Sequence, residues 1–466
     1  MLHPDRIFPA EPSVRAIAKR LFQEVETLPL ICPHGHTLPE WFSENENFQD
    51  PAQLLIVPDH YILRMLVSQG VSLNALGLKS ADGAPHETDG RKIWRLFAEH
   101  YYLFQSTPVR FWLDHTLETL FGVETKLNAE TADAVYDKIS DCLISDAYKP
   151  RTLFEQFNIE VLATTDACTD TLVHHDKIST SGWGGNVIPT YRPDGAVDPD
   201  HEGFADAIGK LGELTGEDVS SWQGYLNAHR ARREFFKSMG ATATDHGHPS
   251  AFTANLSKAE CVGLYEKVLA KKTSAEESEL FRGQMLTEMA GMSVEDGLVM
   301  QLHPGSYRNH NQDVFINFGR DKGFDIPKSA DFVANLKPLL DRYGMDPRLT
   351  LVLFTLDETT YSRELAPLAG VYPSLKLGPA WWFHDSPAGM MRYRERTTET
   401  AGYYNTAGFN DDTRAFPSIP ARHDLARRVD CAFLARQVAE HLLDEDEAHT
   451  IARELAYGLA KRAYRL

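Results

Sequence analysis

Short apolar segments that end in polar residues recur along the chain and alternate with longer segments of helical periodicity. We predict eight strands, each bounded by turn residues: 28–36, 160–166, 186–192, 240–246, 298–303, 349–357, 375–382 and 404–412. Apolar residues at helical spacing occupy most of the intervals, for example 204–239, 255–292, 329–343 and 389–401. This alternation is typical of a parallel sheet, and eight such units favour a closed (β/α)8 barrel over an open α/β sheet.

Two segments lie outside this alternation. Residues 37–159 are far more than one crossover helix needs, and their apolar spacing predicts helices over 52–69, 91–104, 109–121 and 131–145. We therefore predict a helical subdomain inserted after the first strand, above the barrel mouth. The predicted organisation is an N-terminal segment with the first strand (1–36), the insertion (37–159), the rest of the barrel (160–420) and C-terminal helices (421–466). These last helices pack on the barrel or contribute to a subunit interface.

Composition limits the classes of partner. Of the 466 residues 42% are hydrophobic and 24% charged, which is typical of a globular protein. The net charge of −19 disfavours nucleic acid and anionic membranes as partners, and no apolar segment is long enough to cross a bilayer. We expect a homo-oligomer that acts on small molecules.

The cysteines and glycines indicate the redox compartment and the class of cofactor. The five cysteines are odd in number and scattered, and no secretory leader precedes them, so we expect a reduced, cytoplasmic protein. No Gly-x-Gly-x-x-Gly follows a predicted strand, and Gly182-Trp183-Gly184-Gly185 lacks the third glycine. We therefore expect no nucleotide cofactor.

Nearly every predicted strand ends at side chains able to do chemistry. In a (β/α)8 barrel the carboxyl ends of the strands converge on one face, where active sites of this fold lie. The residues at these ends are His34, His36, Thr165, Asp166, Arg192, Asp245, His246, His303, Asp357, Trp381, Trp382, Asp412 and Arg414. Single polar residues at strand ends are usually caps, but a set at every strand predicts an active site.

A metal site is predicted among these residues. In His34-Gly35-His36 the alternation of a strand sends both imidazoles to one face, as two ligands of one ion require. Asp412 ends the last strand, which neighbours the first in a closed barrel. Two histidines and a carboxylate suit one divalent ion, zinc or manganese by ligand type. Two alternatives stay open: Asp411 as the carboxylate, and the second histidine pair in Asp245-His246-Gly247-His248.

Seven motifs, in order along the chain, carry a family resemblance. They are Cys32-Pro33-His34-Gly35-His36, Pro58-Asp59-His60-Tyr61, Pro189-Thr190-Tyr191-Arg192-Pro193, Thr244-Asp245-His246, Gln301-Leu302-His303 with Arg308-Asn309, Ala380-Trp381-Trp382-Phe383, and Asp411-Asp412-Thr413-Arg414. The chain thereby resembles the uronate isomerases of the amidohydrolase superfamily over essentially its whole length. The resemblance implies interconversion of D-glucuronate with D-fructuronate and of D-galacturonate with D-tagaturonate.

The implied reaction moves a proton from C2 to C1 of the sugar through a cis-enediol, which requires one base and a donor to the carbonyl. By resemblance His60 and Tyr61 supply this machinery from the insertion, with Asp412 as a further candidate for the base. Because a phenol is a poor base near its ordinary pKa of about 10, we expect its surroundings to favour the phenolate. The alternative role of these two residues is to pack the start of a helix that Asp59 caps.

Three arginines are candidates to bind the carboxylate of the substrate. Arg192, Arg308 and Arg414 lie at or just beyond strand ends of an acidic protein, and guanidinium groups suit carboxylates. Each could instead form a structural ion pair. The resemblance further implies that Asp245 and His303 line the sugar and that the metal lies near the uronate carboxylate.

Two other functions compete with this prediction. A metal-dependent hydrolase or decarboxylase of the same superfamily would use the same metal ligands, but it does not call for His60, Tyr61 or the arginine set. A sugar-acid binding protein on an inactive barrel is disfavoured because the metal ligands and the candidate base are both retained.

Overall fold

Eight parallel strands form a ring at the centre of the computed structural model, which describes residues 2–466. The strand segments are short: Leu30–Cys32, Ile159–Ala163, Asp166–Ala167, Val187–Ile188, Tyr191–Arg192, Ala243–His246, Val299–Leu302, Leu351–Leu353 and Leu375–Leu377. The second and third barrel strands each consist of two of these segments. The eighth is reduced to a single parallel bridge between Thr406 and Leu377.

Each barrel strand pairs with the next one along the chain. The register runs, for example, from Thr244 to Met300 and from Met300 to Leu351 across the fourth, fifth and sixth strands. The seam between the eighth strand and the first is closed by a hydrogen bond of 2.8 Å from the His36 amide to the Thr413 carbonyl. The predicted (β/α)8 barrel is therefore confirmed, with an eighth strand that pairs only sparsely with the seventh strand and with the first.

Helices cover the outside of the barrel. They are Val173–Thr180, Asp194–Val197, Phe204–Thr215, Trp222–Ser238, Lys258–Leu269, Ala275–Asp296, Gln312–Phe318, Lys337–Tyr343, a π-helical turn Tyr361–Leu365, Ala366–Ala369 and Pro387–Ala401. The predicted helix over 204–239 is two helices, because Gly216 adopts a φ of 73° and ends the first. The one over 255–292 is also two, and within 329–343 only the C-terminal half is helical.

The segment after the first strand is helical, as its apolar spacing indicates. Its helices are Pro39–Glu44, Pro51–Leu55, His60–Val67, Gly90–Glu99, Pro108–Thr119, Ala132–Leu143 and Pro150–Gln156, with 3-10 turns at Tyr101–Phe104 and Asp146–Tyr148. The predicted helix over 52–69 is interrupted before Asp59, whose side chain caps the next helix by accepting from the Tyr61 amide at 2.8 Å. This interruption sets the position of His60 and Tyr61.

The two ends of the described chain pack together. After a 3-10 turn at Phe416–Ser418, the tail forms Ile419–Ala439, Glu445–Arg453, a π-helical turn Glu454–Gly458 and Leu459–Tyr464. The first tail helix lies against the N-terminal helix Pro12–Val25 in a shared apolar cluster. The last helix packs under the barrel, where Ala460 contacts the inward-facing Ile31 and Val161.

Two further features bear on the mouth of the barrel and on membranes. An antiparallel hairpin of Ser306–Tyr307 and Ile326–Pro327, which the sequence pattern does not predict, carries residues 308–325 across the mouth. Among residues 2–466 no helix combines the length and the apolar character that a bilayer crossing requires.

Candidate active site

A cavity of about 570 Å³ opens at the carboxyl ends of the strands. We predicted a metal-binding, catalytic or substrate-binding role for ten residues. The wall of the cavity contains nine of them: His34, His36, His60, Tyr61, Arg192, His303, Arg308, Asp412 and Arg414. The tenth, Asp245, is completely buried beside His303. The structure thus brings the strand ends and the insertion into one site.

The metal ligands that we predicted lie together. Asp412 Oδ1 is 3.5 Å from His34 Nε2 and 3.2 Å from His36 Nε2. Zinc bonds of about 2.0–2.2 Å in a tetrahedron set neighbouring nitrogen and oxygen ligands about 3.3 Å apart, so these three atoms fit one ion. The same Asp412 oxygen has no hydrogen-bond partner among residues 2–466. The donor set therefore fits a divalent cation.

The position of Asp412 is fixed by its surroundings. Its backbone adopts a φ of 45°, in the left-handed region that non-glycine residues seldom occupy and that is often found at functional sites. The indole of Trp381 donates a hydrogen bond to its Oδ2. Burial opposes the charge of Asp412, but the two imidazoles outweigh it and hold the pKa of Asp412 well below its ordinary value. The carboxylate is thus ionised and aimed at the histidine pair.

The two alternative ligand assignments do not match this geometry. Asp411 points away from the cavity, toward His423 Nε2 at 3.4 Å. His246 is completely buried and its Nε2 faces the Thr244 hydroxyl at 3.0 Å. Within residues 2–466 the second histidine pair does not meet a carboxylate in a ligand-like cluster.

Asp245 lies between His34, His303 and Arg192, behind the cavity wall. Its Oδ1 lies 2.9 Å from His303 Nε2 and its Oδ2 lies 3.3 Å from Arg192 Nη1. Burial disfavours its charge, but these neighbours and His34 hold the pKa of Asp245 well below its ordinary value. Asp245 therefore fixes the side chains that face the cavity while lying behind them.

The three arginines differ in how much of their charge is already paired. Arg192 donates to Asp194 at 2.8 Å, and Arg308 donates to Asp325 at 2.8 Å. No hydrogen bond or ion pair joins the side chain of Arg414 to another of residues 2–466. Burial lowers the pKa of Arg414, in part against the fields of Asp321 and Asp412. Arg414 is consequently the best placed of the three to bind an added anion.

The helical segment after the first strand contributes one helix start to the cavity wall, with Asp59, His60 and Tyr61. Tyr61 is 8% exposed, and its hydroxyl lies 2.8 Å from both carboxylate oxygens of Asp385. Burial, helped by Arg414, lowers the pKa of His60 to about 3, so its imidazole is neutral. Asp59 does cap this helix, and the two residues after it nevertheless line the cavity.

The expectation that the surroundings of Tyr61 favour a phenolate is wrong. Burial and the neighbouring carboxylate of Asp385 raise the pKa of Tyr61 well above 10. Burial likewise raises the pKa of Asp385, to about 6, although Arg422 lies 3.5 Å from it. In this geometry Tyr61 is a neutral phenol that donates to a carboxylate.

Sequence reasoning missed several residues of the site. Asp385 and Arg422 form the support of Tyr61, and Arg422 also stacks on Trp112 at 3.6 Å. Trp381 lies among the predicted strand-end residues, but its hydrogen bond from the indole N–H to Asp412 is not evident from the sequence. Asp385 follows Trp381 by four positions. Its closeness to a strand-end motif is the sequence feature that could have identified it.

Comparisons with known protein sequences identify the family of this chain. The sequence family described as glucuronate isomerase matches residues 13–464. A uronate isomerase of Rhizobium meliloti (strain 1021) is 62% identical over 100% of this chain and 99% of its own length. One from Brucella canis is 60% identical over 100% of both chains.

Solved structures give the same result. The fold matches a glucuronate isomerase from Caulobacter crescentus with a TM-score of 0.98 and 57% identity, covering 100% of this chain and 97% of that one. A uronate isomerase from Thermotoga maritima matches with a TM-score of 0.93 and 27% identity, covering 100% and 99%. These likenesses confirm the resemblance and favour the isomerase over the hydrolase or decarboxylase. By sequence and by fold, the chain belongs to the glucuronate isomerase family.

Proposed function

We propose that this protein interconverts D-glucuronate with D-fructuronate, and D-galacturonate with D-tagaturonate, by moving a proton from C2 to C1 of the sugar. The observation that carries the proposal is the meeting of two sets of residues in one cavity. The barrel contributes His34, His36, Asp412 and the unpaired Arg414, and the insertion contributes Tyr61 with its neighbour. A hydrolase would need the metal ligands alone.

One end of the cavity suits the uronate carboxylate. Arg414 brings a guanidinium that no hydrogen bond or ion pair engages, and Arg192 and Arg308 add cations whose partners hold them in place. A divalent ion, zinc or manganese, held by His34, His36 and Asp412 would orient the carboxylate of the uronate and the hydroxyl next to it. His303, held by Asp245, would contact the sugar hydroxyls.

The proton transfer falls to Tyr61 and Asp385 together. A neutral phenol can accept the C2 proton only if its own proton leaves, and the carboxylate oxygens of Asp385 lie in reach to receive it. The reverse transfer then delivers a proton to C1 and restores both groups. The neutral imidazole of His60 would pass the hydroxyl proton between O2 and O1. No net proton or electron is gained, as an isomerisation requires.

Incubation of the purified protein with D-glucuronate in deuterated water, followed by NMR, tests this function. We expect the ketose to form, with solvent deuterium entering one face of C1 and some hydrogen retained from C2, because one relay serves both carbons. D-Glucose is the matched control, since it lacks the carboxylate that Arg414 would bind. Absence of ketose, or equal rates on glucuronate and glucose, would contradict the proposal.

A further inference from the structure

A second cluster of potential metal ligands lies behind the active site, on the other face of the barrel seam. Cys32, Asp411 and His423 are all buried, and one ligand atom from each lies within 4.8 Å of the others. Cys32 belongs to the first strand, Asp411 follows the last strand, and His423 belongs to the first tail helix. Three elements of the chain thus direct soft and hard ligands at one point.

The distances in this cluster match metal ligation better than hydrogen bonding. His423 Nε2 lies 3.7 Å from Cys32 Sγ and 3.4 Å from Asp411 Oδ2. Zinc bonds of about 2.3 Å to sulfur and about 2.0–2.1 Å to nitrogen and oxygen separate tetrahedral ligands by about 3.6 Å for sulfur with nitrogen and about 3.3 Å for nitrogen with oxygen. An N–H···O hydrogen bond is instead about 2.9–3.0 Å long.

The metal site that we predict in the cavity has a similar spacing between its ligand atoms. There the ligand atoms of His34 and His36 stand 3.5 and 3.2 Å from Asp412, which brackets the nitrogen–oxygen separation in the second cluster. The shared atom is also informative, because the same imidazole nitrogen faces both the thiol and the carboxylate at distances longer than an ordinary N–H···O bond. A cation satisfies the thiolate, the carboxylate and the imidazole lone pair together.

We propose that Cys32, Asp411 and His423 form a second divalent-metal site, of zinc type, that is distinct from the site of His34, His36 and Asp412. One thiolate, one carboxylate and a neutral imidazole cancel the charge of a divalent ion, so the occupied cluster can be buried. His423 also lines a separate cavity of about 490 Å³, beside Asp424, through which an ion and a fourth, water ligand can reach the cluster.

The site would serve the weakest part of the barrel. The seam between the last and first strands is closed by the amide of His36 and the carbonyl of Thr413, and the last strand meets the seventh only at the bridge of Thr406. An ion at this cluster would clamp both strands to the first tail helix. Its role would be structural, and it would set the spacing of His34 and Asp412 from behind.

Cobalt reconstitution tests the proposal without reference to activity. The apo protein is titrated with Co²⁺, and the bound equivalents are counted while the near-ultraviolet thiolate-to-cobalt charge-transfer absorption is recorded. The first ligand set contains no sulfur, so this absorption reports the second site alone. We expect two equivalents in the wild type, one of which brings the absorption. Cys32→Ser should lose that equivalent and the absorption, whereas the matched buried control Cys431→Ser should keep both.

A variant of the active site separates the two centres. His34→Ala combined with His36→Ala should lose one equivalent of Co²⁺ and keep the charge-transfer absorption. A wild type that binds one equivalent without that absorption would overturn the proposal, as would an absorption that survives Cys32→Ser or disappears in the double histidine variant. If Cys32→Ser fails to fold, Asp411→Asn replaces it, and the wild-type spectrum by itself still decides.

Discussion

Replacing Asp385 by asparagine should separate activity from stability in this enzyme. The amide has the shape of the carboxylate and can still accept a hydrogen bond from Tyr61, but it cannot take the phenol proton. If the relay carries the C2 proton, turnover should fall by about 10²–10⁴-fold, the usual contribution of general acid–base catalysis. KM should change little, because Asp385 lies behind Tyr61 and outside the cavity wall.

Stability should move in the opposite direction. Burial raises the pKa of Asp385 from 3.8 to about 6, so between these values the folded chain binds a proton that the unfolded chain has released. The free energy of unfolding therefore falls as the pH rises through this range, by up to about 3 kcal/mol at about 1.4 kcal/mol per unit. Asp385→Asn should recover part of this at neutral pH, less the attraction that Arg422 loses.

The assay combines a pH profile of kcat with urea denaturation at neutral and acidic pH. In the wild type kcat should decline as the pH falls below about 6, because the protonated carboxyl cannot receive the phenol proton. Tyr61→Phe and the double variant with Asp385→Asn should be as slow as the single variants, since the two groups act as one unit. Asp430→Asn is the matched control: it removes a buried carboxylate paired with Arg394, so it should lose stability and keep kcat.

A variant Asp385→Asn with turnover near the wild type and an unchanged acidic limb would refute the relay. Tyr61 would then act only as a donor to the substrate. A slow variant that is also less stable than the wild type at neutral pH would refute the electrostatic reasoning about the buried carboxylate.

Four further predictions follow from the site and the fold. Arg414→Met should raise KM for uronates and lower kcat/KM, because it removes a charge-assisted pair with the substrate, and the loss of transition-state stabilisation should be about 1.5–3 kcal/mol. Steady-state kinetics that match the wild type would show that Arg414 has only a structural role. The double variant His34→Ala with His36→Ala should contain less divalent metal than the wild type in elemental analysis; a metal content equal to that of the wild type would show that these histidines are not ligands. Burial raises the pKa of Asp166 from 3.8 to about 7, so Asp166→Asn should increase the free energy of unfolding at about pH 8 and leave it nearly unchanged at about pH 4; an equal effect at both would contradict this sign. Light scattering should detect a homo-oligomer, and a monomeric mass would exclude that expectation.

The order of strands and helices was predictable because a barrel repeats one simple pattern eight times. The lengths of the elements were not, since they depend on local backbone conformation and on tertiary contacts. Gly216 divides one predicted helix through a positive φ. The last strand retains only the bridge at Thr406, although its sequence suggests nine residues of strand.

The site was predictable where chemistry lies at strand ends and was less so where a side chain acts through another. His34, His36 and Asp412 follow from the alternation of strands and from barrel closure. The state of Tyr61 could not be derived from its motif, because the pKa of a phenol depends on the carboxylate that faces it. That carboxylate, Asp385, lies 324 positions away along the chain.

The packing of the last helix under the barrel has a consequence for biosynthesis. Residues 459–464 are translated after all eight strands, yet they fill the lower end of the barrel against Ile31 and Val161. Until residues 459–464 emerge from the ribosome, the first strand therefore lacks this covering helix. Exposed apolar strand residues invite aggregation in such intermediates. The barrel interior should consequently be most prone to aggregation before this helix has emerged.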